Sequence, residues 1–327
     1  MSIDASFWLW LFDCAERLSE SIFIQMSFIK ERCPGLATAG SPKYHARCRN
    51  EFQERHSMND KELIDMMESV CGSIGALCAT FTEQEWKTPT DCPGWSAQDQ
   101  VSHLIGIESR ILGRPEPDHT PKDLSHIKND FGAQNEVGID WRRSWPGAKV
   151  LEEFQEVTGE RMKTLRALSA DDFDEATQTP IGPGKVRDLI AIRIFDFWVH
   201  EQDIRRAVGR PGNYEGSIAE HSIGRLVTPM PYIVGKKAQA PDGATVVFDI
   251  TGQLGQTIAI GMDGKIAKLL DSTPESSTVR LSMDTETFAC LCCGRWEPAE
   301  VLTSGKVQIQ GDRTLGEAIV NQMNFMI

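Results

Sequence analysis

Apolar residues recur at helical spacing from Met58 through the middle of the chain and at strand spacing in much of the last third. From Met58 the run NDKELIDMMESVCGSIGALCATF sets Leu63, Met67, Val70, Ile74, Leu77, Cys78 and Phe81 on one face of an amphipathic helix. The loop TEQEWKTPTDCPGW follows, with Pro93-Gly94 as its turn signal. Ser96, with Asp99 three residues on, makes a capping box that opens a helix over about 97–112. GRPEPDHTPKD breaks that helix, and a long loop is expected up to Trp145. Residues 148–168 form a third helix. A second loop, with Pro180, Gly182, Pro183 and Gly184, leads into a fourth over 186–208, which Gly209 and Pro211 stop. Four helices with long connections imply a bundle.

One more helix is expected over 217–234, and then the pattern changes. TVVFDI, QTIAIG, KIAKLL and TVRLSM are short β-branched runs separated by Gly, Asp and Ser. A helix over 284–293, the strand VQIQG and a closing helix from Thr314 complete a small α+β domain. The expected layout is an extension over 1–57, a helical bundle with a linker helix over 58–237, and the α+β domain over 238–327. The extension lacks a sustained period. It reads as a disordered or loosely helical segment without a part in function, or as residues upstream of a natural start at Met58. Its FWLWLF run is short and no Lys or Arg precedes it, which makes a poor signal peptide.

The fourth helix carries the candidate chemistry. In RIFDFWVHEQDIRRAVGRPG, Arg193, Asp196, His200 and Asp203 share one stripe, with Leu189, Ile192, Phe197, Val199 and Ile204 in it or beside it. Burying an ionised Asp without a partner costs several kcal/mol, so the stripe implies a cation, a metal or a salt-bridge network. Asp196 and His200, one turn apart, offer two metal ligands, and an i,i+4 local hydrogen bond is the plainer alternative. A catalytic zinc takes a third protein ligand and keeps one position open. His103, bracketed by Val101, Leu104 and Ile105 on the capped helix, is the best third candidate. Asp203 would orient an imidazole from behind.

Composition narrows the partners. A net charge of −13 over 327 residues argues against nucleic acid and against an anionic membrane. Nine cysteines without a repeated CxxC fit a reducing cytoplasm better than a disulfide framework. No apolar run reaches the roughly 18 residues of a membrane helix.

DCPGWSAQDQVSHLIGIE and FDFWVHEQDIRRAVGRPG together resemble the mycothiol-dependent maleylpyruvate isomerase family, one of the DinB-like metal-binding helical bundles. VVFDITGQLGQTIAI, CGRWEP and VQIQGD resemble that family's sterol-carrier-protein-like C-terminal domain. The resemblance runs from about Met58 to the end. It implies a two-domain protein of mixed class, a DinB-like four-helix bundle followed by a small α+β sterol-carrier-like domain. It also implies a divalent metal, usually zinc, on His103, Asp196 and His200, with a low-molecular-weight thiol such as mycothiol at the open position. The founding members have Glu where this chain has Asp196, a shorter side chain that bears on metal identity and affinity. The implied reaction on a small electrophilic substrate is thiolate addition to a conjugated double bond, rotation and elimination, or thiol transfer alone. An Arg from the C-terminal domain, best matched by Arg295, would pair with a substrate carboxylate. Two rivals stand beside this reading: a non-catalytic metal or small-ligand binding protein, and a metal-dependent hydrolase.

Other features carry less. Cys290, Cys292 and Cys293 lie in an apolar helical run where Cys acts as a small hydrophobe. Cys92 is expected at a turn rather than as a nucleophile, and GPGK lacks the spacing of a P-loop. Trp95 and Trp198 read as packing residues, while His45, His56, His119, His126 and His221 are expected at the surface.

Overall fold

The computed structural model describes residues 59–326, so the readings of the N-terminal extension lie outside the described residues. The chain divides into two compact units, one formed by the residues up to Asp65 with Ala167–Ile192 and the other by Met66–Arg166 with Arg193–Ile327.

The first unit holds the opening turns of helix α1 (Asp60–Cys78) and of helix α6 (Val186–Ala207). Between Ala167 and Val186 lies a 3-10 turn at Asp172–Asp174. A hairpin of β1 (Ala176–Thr179) and β2 (Gly182–Lys185) follows, where the sequence implies only a loop. Its tight turn rests on Thr179, whose hydroxyl donates to the Gly182 carbonyl and accepts from the Ile181 N–H.

In the second unit the helical layer comprises the rest of α1 and α6, a short α2 (Glu83–Trp86), α3 (Ala97–Ile111), α4 (Asp130–Arg142) and α5 (Gly147–Arg166). Both α4 and α5 pack on α3. The capping box of α3 forms as its sequence implies: the Ser96 hydroxyl accepts from the Asp99 N–H, and the Asp99 carboxylate accepts from the Ser96 N–H. Helix α4 replaces part of the long loop expected before Trp145. It is capped by Asn129 and buries Glu136, Asp140 and Arg142 beside Ile139, so no apolar stripe marks it in the sequence.

The helix expected over 217–234 is α7 (Gly216–Val227), followed by a turn at Met230–Tyr232 and a π-helical turn at Ile233–Lys237. Pro229 and Pro231 explain the break, because proline supplies no N–H to continue a helix. A five-stranded mixed sheet comes next: β3 (Thr245–Thr251), β4 (Gln256–Asp263), β5 (Ile266–Leu269), β6 (Val279–Asp284) and β7 (Gln308–Gly311), in the order β5-β4-β3-β6-β7. Only the central β3–β6 pair is parallel, with Phe248 opposite Leu281. Helices α8 (Thr285–Cys292) and α10 (Arg313–Asn321) pack on β6. A short α9 (Pro298–Ser304), absent from the sequence-based expectations, lies between them.

Candidate metal centre

Helix α3 contributes Gln100 and His103, and α6 contributes Arg193, Asp196, His200 and Asp203, all in the second unit. His103 and His200 are buried and Asp196 is half-buried. One ligand atom from each of His103, Asp196 and His200 falls within 4.8 Å of the other two. His103 Nε2 lies 3.4 Å from Asp196 Oδ2, and His200 Nε2 lies 3.5 Å from Asp196 Oδ1. These separations are long for hydrogen bonds between ring nitrogen and carboxylate. The two distances end on different oxygens of Asp196, and together they leave a space faced by two imidazole nitrogens and a carboxylate, the donor types that zinc takes. The donor set therefore fits a divalent ion of zinc type.

Burial and charge prepare the donors. Burial pulls the His103 pKa down to about 4, so the ring is neutral with a lone pair to give. Burial alone would raise the Asp196 carboxyl, but the Arg193 guanidinium and His200 outweigh it and hold it well below the carboxylate range. Burial also opposes charge on His200, yet Asp196 and Asp203 prevail and lift its pKa.

A buried ionic lattice frames these residues. Arg193 donates to Asp196 Oδ2 at 2.5 Å and to Glu108 Oε1 at 2.7 Å, while Arg161 donates to Glu108 Oε2 at 3.1 Å. The stripe on α6 is thus a salt-bridge network that also carries two of the three candidate metal ligands. On the other side, Asp203 is fully buried and accepts from Arg295 Nε at 3.0 Å, from Arg295 Nη2 at 2.8 Å and from Arg206 Nη2 at 2.5 Å. Asp203 Oδ2 stays 3.5 Å from His200 Nδ1, whereas the Gln100 side-chain oxygen meets that nitrogen at 2.5 Å. Gln100 had no signal in the sequence beyond its place one turn before His103, where it reads as an ordinary polar helix residue.

Arg295 owes its position to the end of α8. Gly294, at φ +64°, turns the chain, and the Arg295 N–H returns to the Cys290 carbonyl at 2.8 Å, the long bond of a Schellman cap. Trp95, expected to be a packing residue, has its ring 5.2 Å from His103 and 6.0 Å from His200, and its indole N–H donates to Glu136 at 3.1 Å. His119 and His126, expected at the surface, are half-buried against α4: His119 Nε2 lies 2.7 Å from Asp140, and His126 Nε2 lies 3.4 Å from Glu136. Cys290, Cys292 and Cys293 are buried and free, as small hydrophobes. Burial pushes the Cys92 thiol up to about 11, which disfavours it as a nucleophile. GPGK is the strand β2.

Fold and donor set define a helical region with a candidate metal-ligand cluster, followed in the chain by a small α+β domain. Residues 68–205 match the family model described as mycothiol maleylpyruvate isomerase N-terminal domain, and residues 234–324 match that of the SCP-2 sterol transfer family. The chain thus carries a domain of the mycothiol maleylpyruvate isomerase N-terminal family followed by one of the SCP-2 sterol transfer family. Among solved structures, the crystal structure of the mycothiol-dependent maleylpyruvate isomerase aligns with a TM-score of 0.50 at 15% identity, covering 78% of this chain and 94% of that one. A point mutant of that enzyme gives a TM-score of 0.51 at 14% identity over the same shares. Identities this low carry the fold alone. No curated protein matches the chain. No helix among the described residues is long and apolar enough to cross a membrane.

Proposed function

We propose that this protein is a metal-dependent enzyme that uses a low-molecular-weight thiol of the mycothiol type to transfer to, or isomerise, a small electrophilic substrate in the cytoplasm. The observation that carries the reading is the convergence of His103, Asp196 and His200 from two helices on one point. A divalent ion held there would lower the pKa of a bound thiol, so that its nucleophilic anion exists at neutral pH. The chain's own residues do the rest. His103 supplies a neutral donor from α3. Arg193 clamps one oxygen of the short Asp196 carboxylate and leaves Oδ1 facing His200, which fixes a side chain that reaches less far than Glu. Arg295 spends Nε and one Nη2 hydrogen on Asp203 and one Nη1 hydrogen on the Cys293 carbonyl. Two of its five donors remain for a substrate carboxylate.

The test is elemental analysis of the full-length protein, then mycothiol titration by calorimetry with and without chelator. Near-stoichiometric zinc with chelator-sensitive thiol binding is the expected result. Metal without thiol binding would move the assignment to a metal-binding protein, or to a hydrolase if a bound ester is cleaved without added thiol. Absence of metal would reduce the cluster to a structural polar network.

A further inference from the structure

We infer that Gln100 is a positioning residue that sets the His200 ring in the one tautomer able to bind a metal through Nε2. This rests on the proposed metal site, but the argument starts from a backbone oxygen. The Trp95 carbonyl can only accept hydrogen bonds, and the Thr90 hydroxyl lies 2.8 Å from it. The single hydroxyl hydrogen of Thr90 is therefore committed to Trp95. Its oxygen must then accept from the Gln100 side chain, 2.7 Å away, as it also accepts from the Cys92 N–H at 3.2 Å. That contact forces the Gln100 NH2 to face Thr90 and its Oε1 to face His200 Nδ1.

An amide oxygen is a pure acceptor, so Nδ1 carries the proton. Asp203 Oδ2, the other group near Nδ1, is an acceptor too, but at 3.5 Å it lies outside hydrogen-bond range. With Nδ1–H fixed, Nε2 is the nitrogen free to give a lone pair, and Nε2 is the one that faces Asp196 Oδ1. In the neutral ring that lone pair faces a carboxylate oxygen 3.5 Å away, a pairing that a cation between them makes favourable. His103 has no counterpart: its Nδ1 is buried without a hydrogen-bond partner among the described residues. His200 is the pre-set ligand of the pair, and the relay Trp95–Thr90–Gln100 ties it to the loop that precedes α3.

The test has two separate readouts. Long-range 1H–15N correlation spectra of metal-free, full-length protein in alkaline buffer, with the ring assigned from His200→Gln, should show His200 as the Nδ1–H tautomer. Zinc affinity, read by competition with a chromophoric chelator, should fall about 10–100-fold in Gln100→Leu and return to within a few-fold of wild type in Gln100→Glu, which keeps the acceptor. Thr90→Val frees the amide to flip and should weaken zinc in the same direction, and it serves if Gln100→Leu does not fold. An Nε2–H tautomer in the wild type, or wild-type zinc affinity in both Gln100→Leu and Thr90→Val, would overturn the inference. If the wild type takes no zinc, the proposed function falls, and the tautomer of the metal-free ring still decides the role of Gln100.

Discussion

At the scale of single residues, the ionic groups around His200 are balanced one against another. Asp203 answers both Arg295 and Arg206, and burial would otherwise push its carboxyl upward; the two guanidinium groups and His200 hold it far below the carboxylate range instead. Removing one member of such a buried set leaves the others charged and unpaired. Asp203→Asn should therefore lower stability by about 3–5 kcal/mol in urea denaturation. His103, Asp196 and His200 stood out in the sequence because polar side chains in apolar surroundings need a partner, whereas Arg295 was marked only by the resemblance of CGRWEP to the family's C-terminal domain. Gln100 and Trp95 did not stand out, since an amide in a polar run and an indole beside a turn are ordinary in any helix and loop.

Elements were legible where a stripe or a cap marks them. Helices α1, α3, α5 and α6 and the five strands of the sheet follow from periodicity and turn chemistry, with ends shifted by a residue or three. Helix α4 was hidden because its inward face is polar: Asp140 accepts from the Lys122 N–H at 3.2 Å and from Arg143 at 3.0 Å, and it meets His119. These contacts outweigh burial and hold the Asp140 carboxyl below its ordinary 3.8. A carboxyl depressed on folding adds stability above the unfolded value and loses it as pH falls through the folded one. Asp140→Asn should thus cost about 1–3 kcal/mol at neutral pH, with the difference from wild type fading in acid, as read by denaturation at a series of pH values. The end of α8 gives a second test. Gly294→Ala would place a Cβ at left-handed φ within 2.4 Å of the Asn324 side chain, so thermal unfolding should show a loss of at least about 1–2 kcal/mol.

For the molecule as a whole, metal and fold should be linked, because a site built from two helices exists only when both are in place. His103→Ala and His200→Ala should each remove roughly one equivalent of bound metal while the far-ultraviolet dichroism stays native, measured by elemental analysis. Full metal content in the double variant would sink the site. Chelation of the wild type should lower the melting temperature, since a ligand at about 100 times its Kd stabilises by about 2.7 kcal/mol. The sequence by itself determined the two-domain plan, bundle first and small α+β domain second, because hydrophobic period and turn residues are local signals. It also determined that Asp196 and His200 share a helical face, which spacing along one helix decides. Only the tertiary structure decided which groups meet across the chain: Gln100 with His200, Glu108 with Arg161 and Arg193, Arg295 with Asp203. Those partners lie 53 to 100 residues apart, and packing geometry, which no local pattern encodes, selects them.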